Sequence, residues 1–114
     1  MQPMTRIAAH RGGALEIAEN TLSAFRHAAQ IGVEEVEFDV HLSADGVPVV
    51  HHDATLDRMT DATGPVQTRT AAELAALHVR QTVADGVPTL EAVLDTLAPS
   101  DLWLRIEIKP GVDG

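Results

Sequence analysis

Glu37 and Asp39 lie two apart in Val36-Glu-Phe-Asp-Val40, a stretch that alternates at period two. On a strand both carboxylates point to one face, while Val36, Phe38 and Val40 point to the other. Two neighbouring carboxylates on a buried face cost free energy unless something offsets their charge, and a divalent cation does so. Hard oxygen ligands of this kind select Mg²⁺, Ca²⁺ or Mn²⁺ over zinc or copper. Taken alone, Glu-x-Asp is a weak signal, and a solvated strand face is the reading it favours. Leu102-Trp-Leu-Arg-Ile-Glu-Ile108 repeats the pattern, with Arg105, Glu107 and Lys109 sharing a face. A third carboxylate makes three oxygens, which can hold an octahedral ion and leave positions for substrate and water. The plainer reading is an exposed face carrying balanced charges.

The histidines divide by context. His10 and Arg11 end a short apolar run before Gly12-Gly13. Histidine carries a proton in either direction near neutral pH, and arginine forks onto a phosphate or carboxylate. A histidine at a strand end is also commonly structural. His27 and His78 have no such context, and His41 and His51 are ambiguous. A zinc site from His41, His51 and His52 lacks any recognised ligand spacing and is disfavoured.

The elements that would position these groups alternate in type. Ile7–His10 reads as a buried strand. Asn20 or Thr21 then caps a helix carrying Leu22, Phe25 and Ala29, closed by Gly32. Val36–Val40 and Val47–His52 read as strands, followed by a long polar loop from Asp53 to about Arg69. Thr70 with Glu73 is a capping-box pair opening a short helix through Leu74 and Leu77. Thr89 opens a second, with Leu90, Val93, Leu94 and Leu97 on one face and Pro99 stopping it. Leu102–Ile108 is the last strand. The order βαββααβ favours a helix-covered sheet of the α/β class. The link from Val40 to Val47 is too short for a helical crossover, and Asp45-Gly46 signals a two-residue hairpin. Such a turn sets Ala44 against Val47 and Asp39 opposite His52.

Composition limits what this scaffold can be. The 114 residues hold 8 Lys+Arg against 17 Asp+Glu, a net charge of −9, with 45% apolar residues and no cysteine. That suits one globular domain at most. Disulfides, thiolate zinc and cysteine catalysis are excluded. The acidic balance argues against nucleic acid or an anionic membrane as partner. No apolar run reaches the roughly 18 residues of a membrane helix, and the opening residues lack a secretory h-region, so a cytoplasmic protein is expected.

His10-Arg-Gly12, Glu19-Asn-Thr21, Glu37-Phe-Asp-Val40, Asp45-Gly-Val-Pro-Val-Val50, His52-Asp53, Leu56-Asp-Arg58, Pro88-Thr-Leu90 and Ile106-Glu-Ile-Lys109 together resemble the glycerophosphodiester phosphodiesterases. The related phosphatidylinositol-specific phospholipases share the fold and a histidine pair, but Glu19-Asn-Thr21 and Ile106-Glu-Ile-Lys109 favour the former. Ala18, Ser43 and Met59 depart from the family's usual Pro, Thr and Thr, and none of the three is a proposed ligand or catalytic group. The resemblance implies that His10 and His52 are an acid/base pair and that Glu37, Asp39 and Glu107 ligate Mg²⁺ or Ca²⁺, with Mn²⁺ also suitable. It implies that Arg11 and Lys109 hold the phosphate of a small glycerophosphodiester, which is hydrolysed to glycerol 3-phosphate and an alcohol. It also implies a TIM-type (β/α)₈ barrel of the phospholipase-C-like kind. Such a barrel takes about 250 residues. Residues 1–114 are therefore expected to form a partial domain, the N-terminal half barrel, completed by a second copy or by a C-terminal half. The alternative is a catalytically silent half barrel that binds a divalent metal or phosphate, or serves as an assembly subunit.

Overall fold

A computed structural model describes residues 8–10 (as backbone), 19–31, 35–98 and 103–109. Along the chain run β1 (Ala8–His10), α1 (Leu22–Ile31), β2 (Glu35–Leu42), β3 (Pro48–Val50), α2 (Ala71–Ala75), α3 (Leu90–Leu97) and β4 (Trp103–Ile108), with a 3₁₀ turn at Val66–Thr68. The expected element order holds. Arg11, the Gly12-Gly13 break, Gly32, Pro99, Leu102 and the side chain of His10 lie outside the described residues.

β2 is the centre of the sheet. It pairs in parallel with β1, setting His10 level with Glu37, and in parallel with β4, setting Asp39 level with Glu107. β3 returns antiparallel against the end of β2. Parallel neighbours joined through helices are the barrel pattern, and β3 is a hairpin arm on it rather than another barrel strand.

The hairpin register differs from the expected one by a residue. Val40 faces Val50 and His41 faces Val49, and the amide of His51 donates to the carbonyl of Asp39 at 3.1 Å. His51, not His52, is thus opposite Asp39, and Ala44 does not face Val47. The cause is the loop. Ser43 N–H donates to the Val47 carbonyl at 2.9 Å, so three residues turn the chain, and Gly46 takes φ of 77° as a three-residue turn needs. Ser43 also caps the turn by accepting from the Val47 amide at 3.0 Å.

Two apolar clusters hold the frame. Phe25, Ala28, Val93 and Leu97 from α1 and α3 cover Val36, Phe38 and Val40 on one face of β2. Phe25 and Phe38 meet edge to face, 5.4 Å between centroids. The second cluster gathers Val49, Leu56, Val66, Leu74, Val79 and Val87. It shows that the stretch from Asp53 to Arg69, expected as a polar loop, is anchored by buried Leu56 and Val66. Each helix starts on a threonine whose hydroxyl accepts an amide of the first turn. Thr21 takes Ala24 N–H, Thr70 takes Glu73 N–H, and Thr89 takes Ala92 N–H, each at 3.1 Å. Thr70 and Glu73 form the expected capping box, although α2 ends at Ala75, short of Leu77.

Candidate active site

With Val36, Phe38 and Val40 taken up by the helices, alternation sends Glu37, Asp39 and His41 to the opposite face of β2. The β4 register brings Glu107 beside Asp39, because paired residues of parallel neighbours share a face. Glu37, Asp39 and Glu107 each offer an oxygen, all within 4.8 Å of one another, and they are the one such group among the described residues. Asp39 is 1% exposed, and neither of its carboxylate oxygens accepts a hydrogen bond. Its pKa is raised to about 6, first by burial, then by repulsion from Glu37 and by the adjacent Glu107 carboxyl; His52 and Lys109 oppose the rise. A buried carboxylate with two orphaned oxygens beside two more acids is an electrostatic debt that a cation cancels. The donor set, all carboxylate oxygen, fits a hard divalent ion. Lys109 offsets part of the charge, its Nζ lying 3.7 Å from Asp39 Oδ1 and 3.4 Å from Glu107 Oε2. That contact holds the Glu107 carboxyl below its usual range.

Despite the shifted register, His52 lies within electrostatic range of both Asp39 and Glu107. β3 ends at Val50, His51 still donates to the Asp39 carbonyl, and His52 comes directly after that last ladder bond. His51 is buried and donates from Nε2 to the Thr55 carbonyl at 3.2 Å; His41, also buried, donates from Nε2 to the His52 carbonyl at 3.1 Å. Among the described residues the group placed to hold a metal ion is the three-carboxylate one, and it includes none of His41, His51 and His52. Burial pushes the His51 pKa down. Arg105 leaves the acid cluster for Glu35, with Nη2 2.7 Å from Oε2.

Glu19, Asp53 and Arg58 carry no chemistry that the sequence alone assigns, and the structure joins them to His52. Asp53 Oδ1 lies 2.9 Å from His52 Nδ1. Arg58 donates to both oxygens of Asp53 and also to both oxygens of Glu19. No periodicity links Glu19 to Arg58, 39 positions apart. Their presence in one motif set was the sole signal.

The profile of the glycerophosphoryl diester phosphodiesterase family matches residues 10–113. The chain belongs to that family. A glycerophosphodiester phosphodiesterase from Caldanaerobacter subterraneus is 36% identical over 113 residues, covering 95% of this chain and 46% of its own length. Human glycerophosphodiester phosphodiesterase 1 is 41% identical over 118 residues, covering 96% of this chain and 36% of its own. Among solved structures, the Agrobacterium tumefaciens glycerophosphodiester phosphodiesterase superposes with a TM-score of 0.84 at 40% identity, over 95% of this chain and 48% of that one. An Oleispira antarctica phosphodiesterase in complex with its product sn-glycerol-3-phosphate does so with 0.85 at 35% identity, over 93% and 45%. The fold is accordingly the TIM-barrel type, of which this family member matches a part. The chain spans less than half the length of these relatives. No helix of the described residues is long and apolar enough to cross a membrane.

Proposed function

We propose that this chain carries the metal-binding and acid/base part of a phosphodiesterase that hydrolyses glycerophosphodiesters to glycerol 3-phosphate and an alcohol. The observation that carries the reading is the three-carboxylate cluster in which neither oxygen of buried Asp39 accepts a hydrogen bond. Glu37, Asp39 and Glu107 would hold a divalent cation, Mg²⁺, Ca²⁺ or Mn²⁺, which supplies positive charge to the phosphoryl oxygens of a bound diester. Lys109 adds an ammonium on the same face, and Arg11, next along from β1, is assigned the other phosphate contact. His10, level with Glu37 in the ladder, and His52 are the acid/base pair. One removes the proton of the attacking hydroxyl, from water or the neighbouring glycerol oxygen, and the other protonates the departing alkoxide. The substrate class follows the product named for the Oleispira relative.

The test is glycerol 3-phosphate release from glycerophosphocholine with Mg²⁺, with Ca²⁺ and with a chelator. His10→Ala or His52→Ala should abolish turnover and keep metal binding, while Glu37→Gln should lose both. Turnover that survives both histidine changes overturns the acid/base assignment.

A second reading rests on β4. All six of its residues are exposed, with Trp103 at 61% and Ile108 at 80%. A half barrel of this kind, residues 1–114, would bind the cation without turning over until a second copy or a C-terminal half covers that strand. Metal binding with no product at any protein concentration selects this reading.

A further inference from the structure

We infer that Glu19, Arg58 and Asp53 form a positioning relay that fixes the ring of His52 with its proton on Nδ1, which makes Nε2 the unprotonated nitrogen for proton transfer. The inference rests on the reading of His52 as an acid/base group.

Asp53 follows His52 directly, and an adjacent carboxylate on a short loop has many rotamers in which it would miss the ring. Here it has few. Its Oδ2 receives Arg58 Nε–H at 2.8 Å and its Oδ1 receives Arg58 Nη2–H at 3.1 Å, the two-point fork that fixes the plane of a carboxylate. Oδ1 keeps a second lone pair, directed at His52 Nδ1, 2.9 Å away. The guanidinium is itself held. Its Nη1 and Nη2 donate to Glu19 Oε1 and Oε2 at 3.2 and 2.7 Å, and Glu19 is only 8% exposed. One arginine thus bridges two carboxylates, one from the segment before α1 and one from the loop after β3. The guanidinium holds Asp53 well below the usual carboxylate range. An ionised carboxylate only accepts, so the shared hydrogen belongs to His52 Nδ1. The residue's backbone is held as well, through the His41 bond to its carbonyl.

Leu56 is fully buried in the same loop, so Arg58 and Glu19 could serve only to fasten that loop. Fastening alone would not choose a tautomer. The experiment is therefore long-range ¹H–¹⁵N NMR of the histidine-labelled chain, at a pH where the imidazoles are neutral. In the unaltered chain His52 should show a protonated, pyrrole-type Nδ1 and a pyridine-type Nε2. Asp53→Ala should move Nδ1 toward the pyridine-type position, and Arg58→Met should move it part of the way with Asp53 still present. Arg58→Lys, which keeps charge and stem but loses the fork, should also shift it and serves if Arg58→Met does not fold. A pyridine-type Nδ1 in the unaltered chain, or a tautomer unmoved in the folded Arg58 variant, overturns the relay. The readout needs no turnover. If His52→Ala retains activity while the tautomer responds as expected, the catalytic reading fails and the relay stands.

Discussion

Replacing Asp39 by Asn should stabilise the metal-free chain and abolish its use for metal. Asp39 in the folded state has a pKa raised from 3.8 to about 6. The native state then binds a proton more tightly than the unfolded one. This contribution to stability is fully present below about pH 3.8 and is lost as pH rises through about 6. At 1.36 kcal/mol per unit, the loss is at most about 3 kcal/mol by pH 8. Asparagine has the same shape, cannot ionise, and offers amide hydrogens to Glu37 and Glu107. Urea unfolding in chelator, followed by circular dichroism from pH 4 to 8, should show the advantage of Asn growing by about 2–3 kcal/mol across that range. Saturating Mg²⁺ or Ca²⁺ should reverse the order. A cation at a thousand times its Kd adds about 4.1 kcal/mol to the unaltered chain, more than the advantage of Asn, and nothing comparable to the variant. Parallel pH profiles for the two proteins in chelator would refute the claim that Asp39 is a strained, cation-seeking carboxylate.

Three further outcomes follow from the framework. Thr70→Ala removes the hydroxyl half of the capping box on α2, leaving the backbone N–H of residue 70 on Glu73, and should cost about 1 kcal/mol in urea unfolding. Gly86→Ala would place a methyl 2.0 Å from the Ala75 carbonyl oxygen, which is backbone and cannot swing away, so a loss of about 3 kcal/mol or more is expected from thermal melts. Burial first, and His41 after it, lower the pKa of His51 against the Thr55 bond, Asp53 and Glu19, so the fold takes up its proton at lower pH than the unfolded chain, which does so below about 6.5. Stability from this group is present above that pH and lost below it. His51→Gln, which still can donate to the Thr55 carbonyl, should flatten the acid side of the curve between pH 7.5 and 5.5.

Strand alternation made the carboxylates legible, because Glu37 and Asp39 could only share a face and Glu107 belonged to a strand of matching pattern. Threonine caps at Thr21, Thr70 and Thr89 were likewise local, each depending on a hydrogen bond three residues away. The hairpin register was not, because Asp45-Gly46 suits both a two-residue and a three-residue turn. The choice depends on whether Ser43 or Ala44 closes the ladder. Leu56 and Val66 looked like isolated apolar residues in a polar stretch, for their partners Leu74 and Val87 come later in the chain. Arg58 reaching Glu19 depends on how two distant loops pack, and no spacing rule encodes that.

The pairing of Asp39 with Glu107 across adjacent parallel strands has a consequence for how such a centre can change over evolutionary time. The spacing of these carboxylates is a property of the backbone ladder, renewed at every hydrogen bond between β2 and β4 and independent of the connections between them. The segment after Arg58 can accept insertions or new sequence without moving either carboxylate, provided its own small core stays packed. Diversification of the surroundings is thereby uncoupled from preservation of the centre.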